Sequence, residues 1–127
     1  MGTDKKVLHL TVGEPMAASL ERARTAMLAA RENTPALPYF GIGFDDVGEL
    51  FAIFTPKRWE LIGTLRSHGP MTIAELARTL GRDYKNVHND CDRLTEWLAL
   101  EKDETGRICA PYDEIVVDMK LPERVAA

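Results

Sequence analysis

The stretch Thr72–Leu94, "TIAELARTLGRDYKNVHNDCDRL", decides the fold. Thr72 followed three residues on by Glu75 matches a capping box and starts a helix. Leu76, Ala77 and Leu80 recur at helical spacing and mark its inner face. Gly81 can supply the positive φ that ends it. Asp83 can then cap a second helix running to about Leu98. The apolar side of that helix is thin: Val87, Cys91 and Leu94. The small Ala77 lets the two helices approach, Gly81 makes the turn, and Val87 packs the second helix on the first. The remaining side chains are rich in groups that hydrogen-bond a base edge.

Working outward, Thr55-Pro56 reads as an N-cap with proline at the first helical position. The helix "PKRWELIGTLRSH" buries Trp59, Ile62 and Leu65 or their neighbours, and Gly69-Pro70 ends it. Downstream, "LALEKD" and "RICAPY" separated by "ETG" predict a β-hairpin. "DEIVVDMKL" alternates, with Ile115, Val117, Met119 and Leu121 on one side. Three short helices followed by a hairpin is the order of a winged helix-turn-helix. In that arrangement the third helix enters the major groove and its N-terminal outward residues meet bases.

Upstream, Lys5–Val12 alternates as a half-buried strand. Glu14-Pro15 opens a helix to about Asn33, with Met16, Leu20, Ala23, Met27 and Ala30 on its apolar face. "YFGIGF" (Tyr39–Phe44) reads as a second strand. "DDVGELFAIF" predicts a short helix with Val47, Leu50, Phe51 and Phe54 inward. The expected fold class is α+β: a winged helix-turn-helix over residues 45–127, preceded by a strand-helix-strand extension over residues 1–44.

Composition sets outer bounds. The chain has 127 residues, 45% apolar and 28% charged, which suits one domain or one small domain plus an extension. No apolar run approaches the ~20 residues of a membrane span, and the N-terminal stretch alternates as a strand rather than reading as a signal peptide. Cys91 and Cys109 form no CxxC pair, so a reduced, cytoplasmic protein is expected. The net charge of −4 disfavours a non-specific polyanion binder. The charge is uneven, however: Pro56–Arg93 carries seven basic and five acidic residues, a net +2, leaving −6 for the remainder.

The segment "TPKRWELIGTLRSHGPMTIAELARTLGRDYKNVHNDCDRLTEW", followed by a charged wing and "PYDEIVVDMKL", resembles the MarR-like predicted transcriptional regulators of bacteria and archaea. The likeness runs from about Phe44 to Leu121, and "GRDYKNVHND" and "PYDEI" are its most specific parts. It implies a DNA-binding regulator. Some members of that group resemble antitoxins encoded beside a small toxin, which implies a toxin protein as a partner. Such domains end the recognition helix with glycine in an "LGLV"-like run. Here the run is "WLAL" (Trp97–Leu100), so a different helix exit is expected.

Helical geometry assigns the side chains. With Val87, Cys91 and Leu94 inward, Lys85, Asn86, His88, Asn89 and Arg93 can face the groove. Asn suits adenine, and Lys or Arg suits guanine or phosphate. Tyr84 and Thr72 suit phosphate, as do Arg82 in the turn and Arg107 in the wing. Lys57 and Arg58 are expected to be peripheral. Asp90 is expected to pair with Arg93 or with a partner elsewhere; two aspartates, Asp90 and Asp92, so close to phosphate have no ready account.

Rival readings are weaker. His88, Cys91 and Asp92 could begin a metal site completed by His9, His68 or Cys109, but the same face would have to serve both core and groove. No metal and no cofactor is expected. No nucleophile elbow or phosphate loop is present, and "GIG" (Gly41–Gly43) is too short for one, so no enzyme is expected. The extension is expected to dimerise the reader on a palindromic operator, or else to bind a partner protein.

Overall fold

The computed structural model describes residues 5–13, 20, 21, 23–25, 27, 28 and 40–121. Strand β1 (Val7–Val12) lies between β2 (Phe40–Phe44) and β5 (Glu114–Met119), and both neighbours run parallel to it. The register places Leu8 beside Phe40 and Ile115, Leu10 beside Ile42 and Val117, and Val12 beside Phe44 and Met119. Because side chains alternate along a strand, these nine residues share one face. Leu8, Leu10, Val12 and Phe44 are buried there. The two segments that flank the helices in sequence thus meet in one sheet.

Helix α1 (Val47–Ile53) is capped by Asp46, whose carboxylate accepts from Glu49 N–H at 2.8 Å. It buries Leu50 and Ile53, followed by Phe54. Two expected core residues are corrected: Val47 and Phe51 are exposed. Phe51 lies roughly 100° round the helix from Leu50, and Val47 lines an open hollow with Val12, Met119 and Leu121.

The three helices that follow carry their expected caps. Thr55 caps α2 (Pro56–His68), with Pro56 in the first turn. The capping box of Thr72 and Glu75 opens α3 (Ile73–Leu80), and Gly81 closes it in the left-handed conformation at φ 64°. Asp83 caps α4 (Tyr84–Glu96), accepting from Asn86 N–H. Leu61, Ile62 and Leu65 of α2, Leu76 and Ala77 of α3, and Val87, Cys91 and Leu94 of α4 form a common core. Trp59 and Leu80 pack against its edge, half-buried.

The hairpin consists of β3 (Glu101–Lys102) and β4 (Ile108–Cys109), antiparallel. Its turn is held by Asp103, whose carboxylate accepts from Thr105 N–H and Oγ1–H and from Arg107 N–H. Met71, in the link before α3, exchanges backbone hydrogen bonds with Ile108 at 3.0 and 2.7 Å. The hairpin is therefore tied directly to the helix trio.

Phe44 joins the sheet to the helices. Its ring stacks on Trp97 at 5.1 Å and meets Phe54 edge-on at 6.3 Å. The expected helix between β1 and β2 lies largely outside the described residues. Its described members, Leu20, Glu21, Ala23, Arg24, Thr25, Met27 and Leu28, are helical and exposed. Leu20 and Met27, expected on a buried stripe, therefore do not pack into the described core. Among the described residues, no helix is long and apolar enough to cross a membrane.

Candidate nucleic-acid interface

Helix α4 turns roughly 100° per residue, which divides its surface sharply. Val87, Cys91 and Leu94 are buried. Lys85, Asn86, Asn89 and Arg93 lie on the opposite arc and are exposed. Tyr84 is exposed at the helix start, and its ring lies 6.0 Å from that of His88. His88 is half-buried, with Nδ1 3.2 Å from the Asp92 carboxylate one turn on. Arg93 pairs with Glu96, also at 3.2 Å.

This charge arrangement divides the helix lengthwise. Asp92 and Glu96 are exposed in the C-terminal half, Glu96 paired with Arg93 there and Asp92 with His88 one turn back. The N-terminal half presents Lys85, Asn86 and Asn89, all exposed.

Of the two expectations for Asp90, the structure bears out the second, partners elsewhere in the chain. It does not pair with Arg93. Its Oδ1 accepts from Arg58 Nε at 3.0 Å, and its Oδ2 accepts from an Arg82 guanidinium nitrogen at 2.6 Å. All three side chains are more than four-fifths buried. Arg58 also donates to the Ile53 carbonyl at 2.8 Å. Arg58, expected to be peripheral, is thus an internal brace from α2 to α4 and to the end of α1. Asp90 points sideways from α4 into two guanidinium groups, so its charge is met within the fold. Among the described residues, the remaining Arg82 terminal nitrogen is buried without a hydrogen-bond partner. Arg82, expected to contact phosphate, already has its charge engaged within the fold.

Thr72 is similarly engaged. Its hydroxyl donates to the Glu75 carboxylate at 2.9 Å and accepts from Glu75 N–H at 3.2 Å. These bonds from Thr72 hold the Glu75 carboxyl below its ordinary range, helped by the nearby charges of Arg107 and Arg78. The bridge between Met71 and Ile108 brings the hairpin's Arg107 near the start of α3. Arg107 is exposed, and so are Arg78 and Lys102, two cations not singled out from the sequence. Their signal was charge alone; nothing in their spacing marked them.

The metal-capable residues do not converge. Cys91 points into the core, where burial pushes its thiol up to about 12, while His88 and Asp92 are on the solvent side. Among the described residues, no group of three His, Cys, Asp or Glu side chains could hold a metal ion.

The chain is an α+β protein in which, among the described residues, a parallel sheet supports four capped helices and a short hairpin. It belongs to the HVO_A0114 family, whose model matches residues 53–117, from the end of α1 into β5. No curated protein and no solved structure matches the chain.

Proposed function

We propose that residues 55–121 act as a winged helix-turn-helix and that the protein is a sequence-specific double-stranded DNA-binding regulator, working as a dimeric repressor that includes its own gene among its targets. The observation that carries this reading is the exposed polar arc at the start of α4. Lys85, Asn86 and Asn89 stand there together, opposite Val87, Cys91 and Leu94. Asn side chains can read adenine bidentately and Lys can reach guanine or phosphate. Tyr84 and Arg107 are also exposed and suited to phosphate. Arg82 and Thr72 serve the reading indirectly, by fixing the turn and the cap that orient α4.

The direct test is binding to the DNA upstream of its own gene over a salt series. Asn86→Ala with Asn89→Ala should cost tenfold or more in affinity for the preferred site and leave non-specific binding unchanged, since a good bidentate contact is worth about 1–3 kcal/mol. Arg107→Ala should weaken binding to all sequences alike and flatten the salt slope by about one unit. The absence of sequence preference in the wild type, with unaltered behaviour in the double variant, would sink the proposal. In that event a protein-interaction role, such as neutralising a toxin, takes precedence.

A further inference from the structure

We infer that two copies of this chain join through the free edge of β5, antiparallel about a two-fold axis at Val117, making one six-stranded sheet. This specifies the interface of the dimer proposed above and rests on that part of the reading.

The edge is open. β5 pairs with β1 on one side, and among the described residues nothing pairs on the other. Exposed edge strands are usually blunted by proline, bulges or inward charges. β5 has an uninterrupted register with β1 and carries Val116, Val117 and Met119, each more than one-third exposed, with Leu121 beyond them at 80%.

The backbone fixes which residues can pair. Lys120 N–H donates to the Val12 carbonyl. By alternation, the even-numbered residues of β5 direct their backbone groups to β1. Ile115, Val117 and Met119 direct theirs outward. In an antiparallel pair, outward residues must stand opposite outward residues. Two-fold axes that fall between residues are thereby excluded, leaving axes through a residue.

Charge then chooses among the central registers. An axis at Val117 sets Glu114 opposite Lys120 of the second copy, Ile115 opposite Met119, and Val117 opposite itself. An axis at Val116 would oppose Glu114 to Asp118, and one at Asp118 would oppose that carboxylate to its own copy. Opposite charges across strands stabilise and like charges destabilise. The Val117 axis forms about six new backbone hydrogen bonds. It also carries Met119 and Leu121 of each copy toward the hollow of about 260 Å³ that Trp59, Tyr112 and Ile115 line in the other.

The experiment is sedimentation equilibrium on the full chain, with circular dichroism to check folding. Wild type should dimerise. Glu114→Lys and Lys120→Glu should each weaken the dimer about tenfold, by turning two attractive cross-strand pairs repulsive. The double variant Glu114→Lys/Lys120→Glu should return to within about threefold of wild type. Should either single variant misfold, Val117→Lys, at a position 44% exposed, supplies the same repulsion at the axis. A dimeric wild type whose single variants dimerise as well as it does overturns this interface and leaves the dimer standing. A wild type that stays monomeric at 100-micromolar order overturns both.

Discussion

Replacing Asp90 by alanine tests whether the Arg58–Asp90–Arg82 cluster holds α4 in position. The change removes the acceptor of two charge-assisted hydrogen bonds, at 3.0 and 2.6 Å. It leaves two guanidinium groups that are only 17% and 18% exposed. Breaking a fully buried ion pair by deleting one partner costs about 3–5 kcal/mol. Residual solvent access and the Ile53 carbonyl, which still accepts from Arg58, reduce that to about 2–4 kcal/mol. Against a total stability on the order of 5–15 kcal/mol, the loss is large. Urea unfolding followed by circular dichroism should show the midpoint falling with an unchanged slope. The compensating triple variant Arg58→Met/Asp90→Leu/Arg82→Met should recover most of the loss, because well-packed apolar replacements of a buried ion cluster are often neutral or better. A loss in Asp90→Ala below about 1 kcal/mol, the range of exposed pairs, would refute the cluster as a brace.

Three further outcomes follow from local features. Leu98 is the one non-glycine residue with positive φ among the described residues, at 64°, and it stands where the resembling family ends this helix with glycine. Leu98→Gly should raise stability by about 0.5–1 kcal/mol, as roughly 1–2 kcal/mol of left-handed strain is relieved against the added freedom of glycine in the unfolded chain; a lowered melting temperature would contradict this. Thr72→Ala should cost about 1 kcal/mol at neutral pH. Because the bonds from Thr72 hold the Glu75 carboxyl below its ordinary 4.5 in the fold, the part of the effect that runs through this carboxylate is fully present above 4.5 and is lost as pH falls through the lowered value, while the cap bond from Glu75 N–H remains, so the difference between wild type and variant should shrink without vanishing in acid titrations. Finally, Cys91 is buried with its thiol pushed up to about 12, whereas Cys109 is half-buried. Iodoacetamide at pH 8 should leave Cys91 unmodified in the folded protein, with mass spectrometry finding it labelled only after urea.

What could be read from the sequence was what is set by neighbours along the chain. Thr55-Pro56, Thr72 with Glu75, Gly81 and Asp83 each satisfy backbone groups within four residues, so their cap chemistry is visible in one dimension. The inward trio Val87, Cys91 and Leu94 followed from helical periodicity for the same reason. Contacts across long separations were not legible. Arg58 and Asp90 are 32 residues apart, and nothing in either neighbourhood announces the other. The parallel order β2-β1-β5 was hidden because alternation gives a strand its faces and says nothing of its neighbours. Val47 and Phe51 misled because hydrophobicity alone cannot tell a core face from an apolar surface. The run "WLAL" marked Trp97–Leu100 as the place where the helix exit is decided, and the structure ends it with a left-handed Leu98, the conformation that glycine favours.

The central position of β1 also bears on how the chain reaches its fold. The helix trio closes on contacts between elements adjacent in sequence, which form early and quickly. The β1–β5 ladder joins segments 107 residues apart, as at the Lys6–Asp113 hydrogen bond. On a ribosome adding roughly 5–20 residues per second, β1 emerges seconds before the strand that will cover its second edge. During that interval Leu8, Leu10 and Val12 have no completed sheet to protect them. The helix unit has time to assemble first, and β1 is the segment most exposed to capture by chaperones or by another nascent chain.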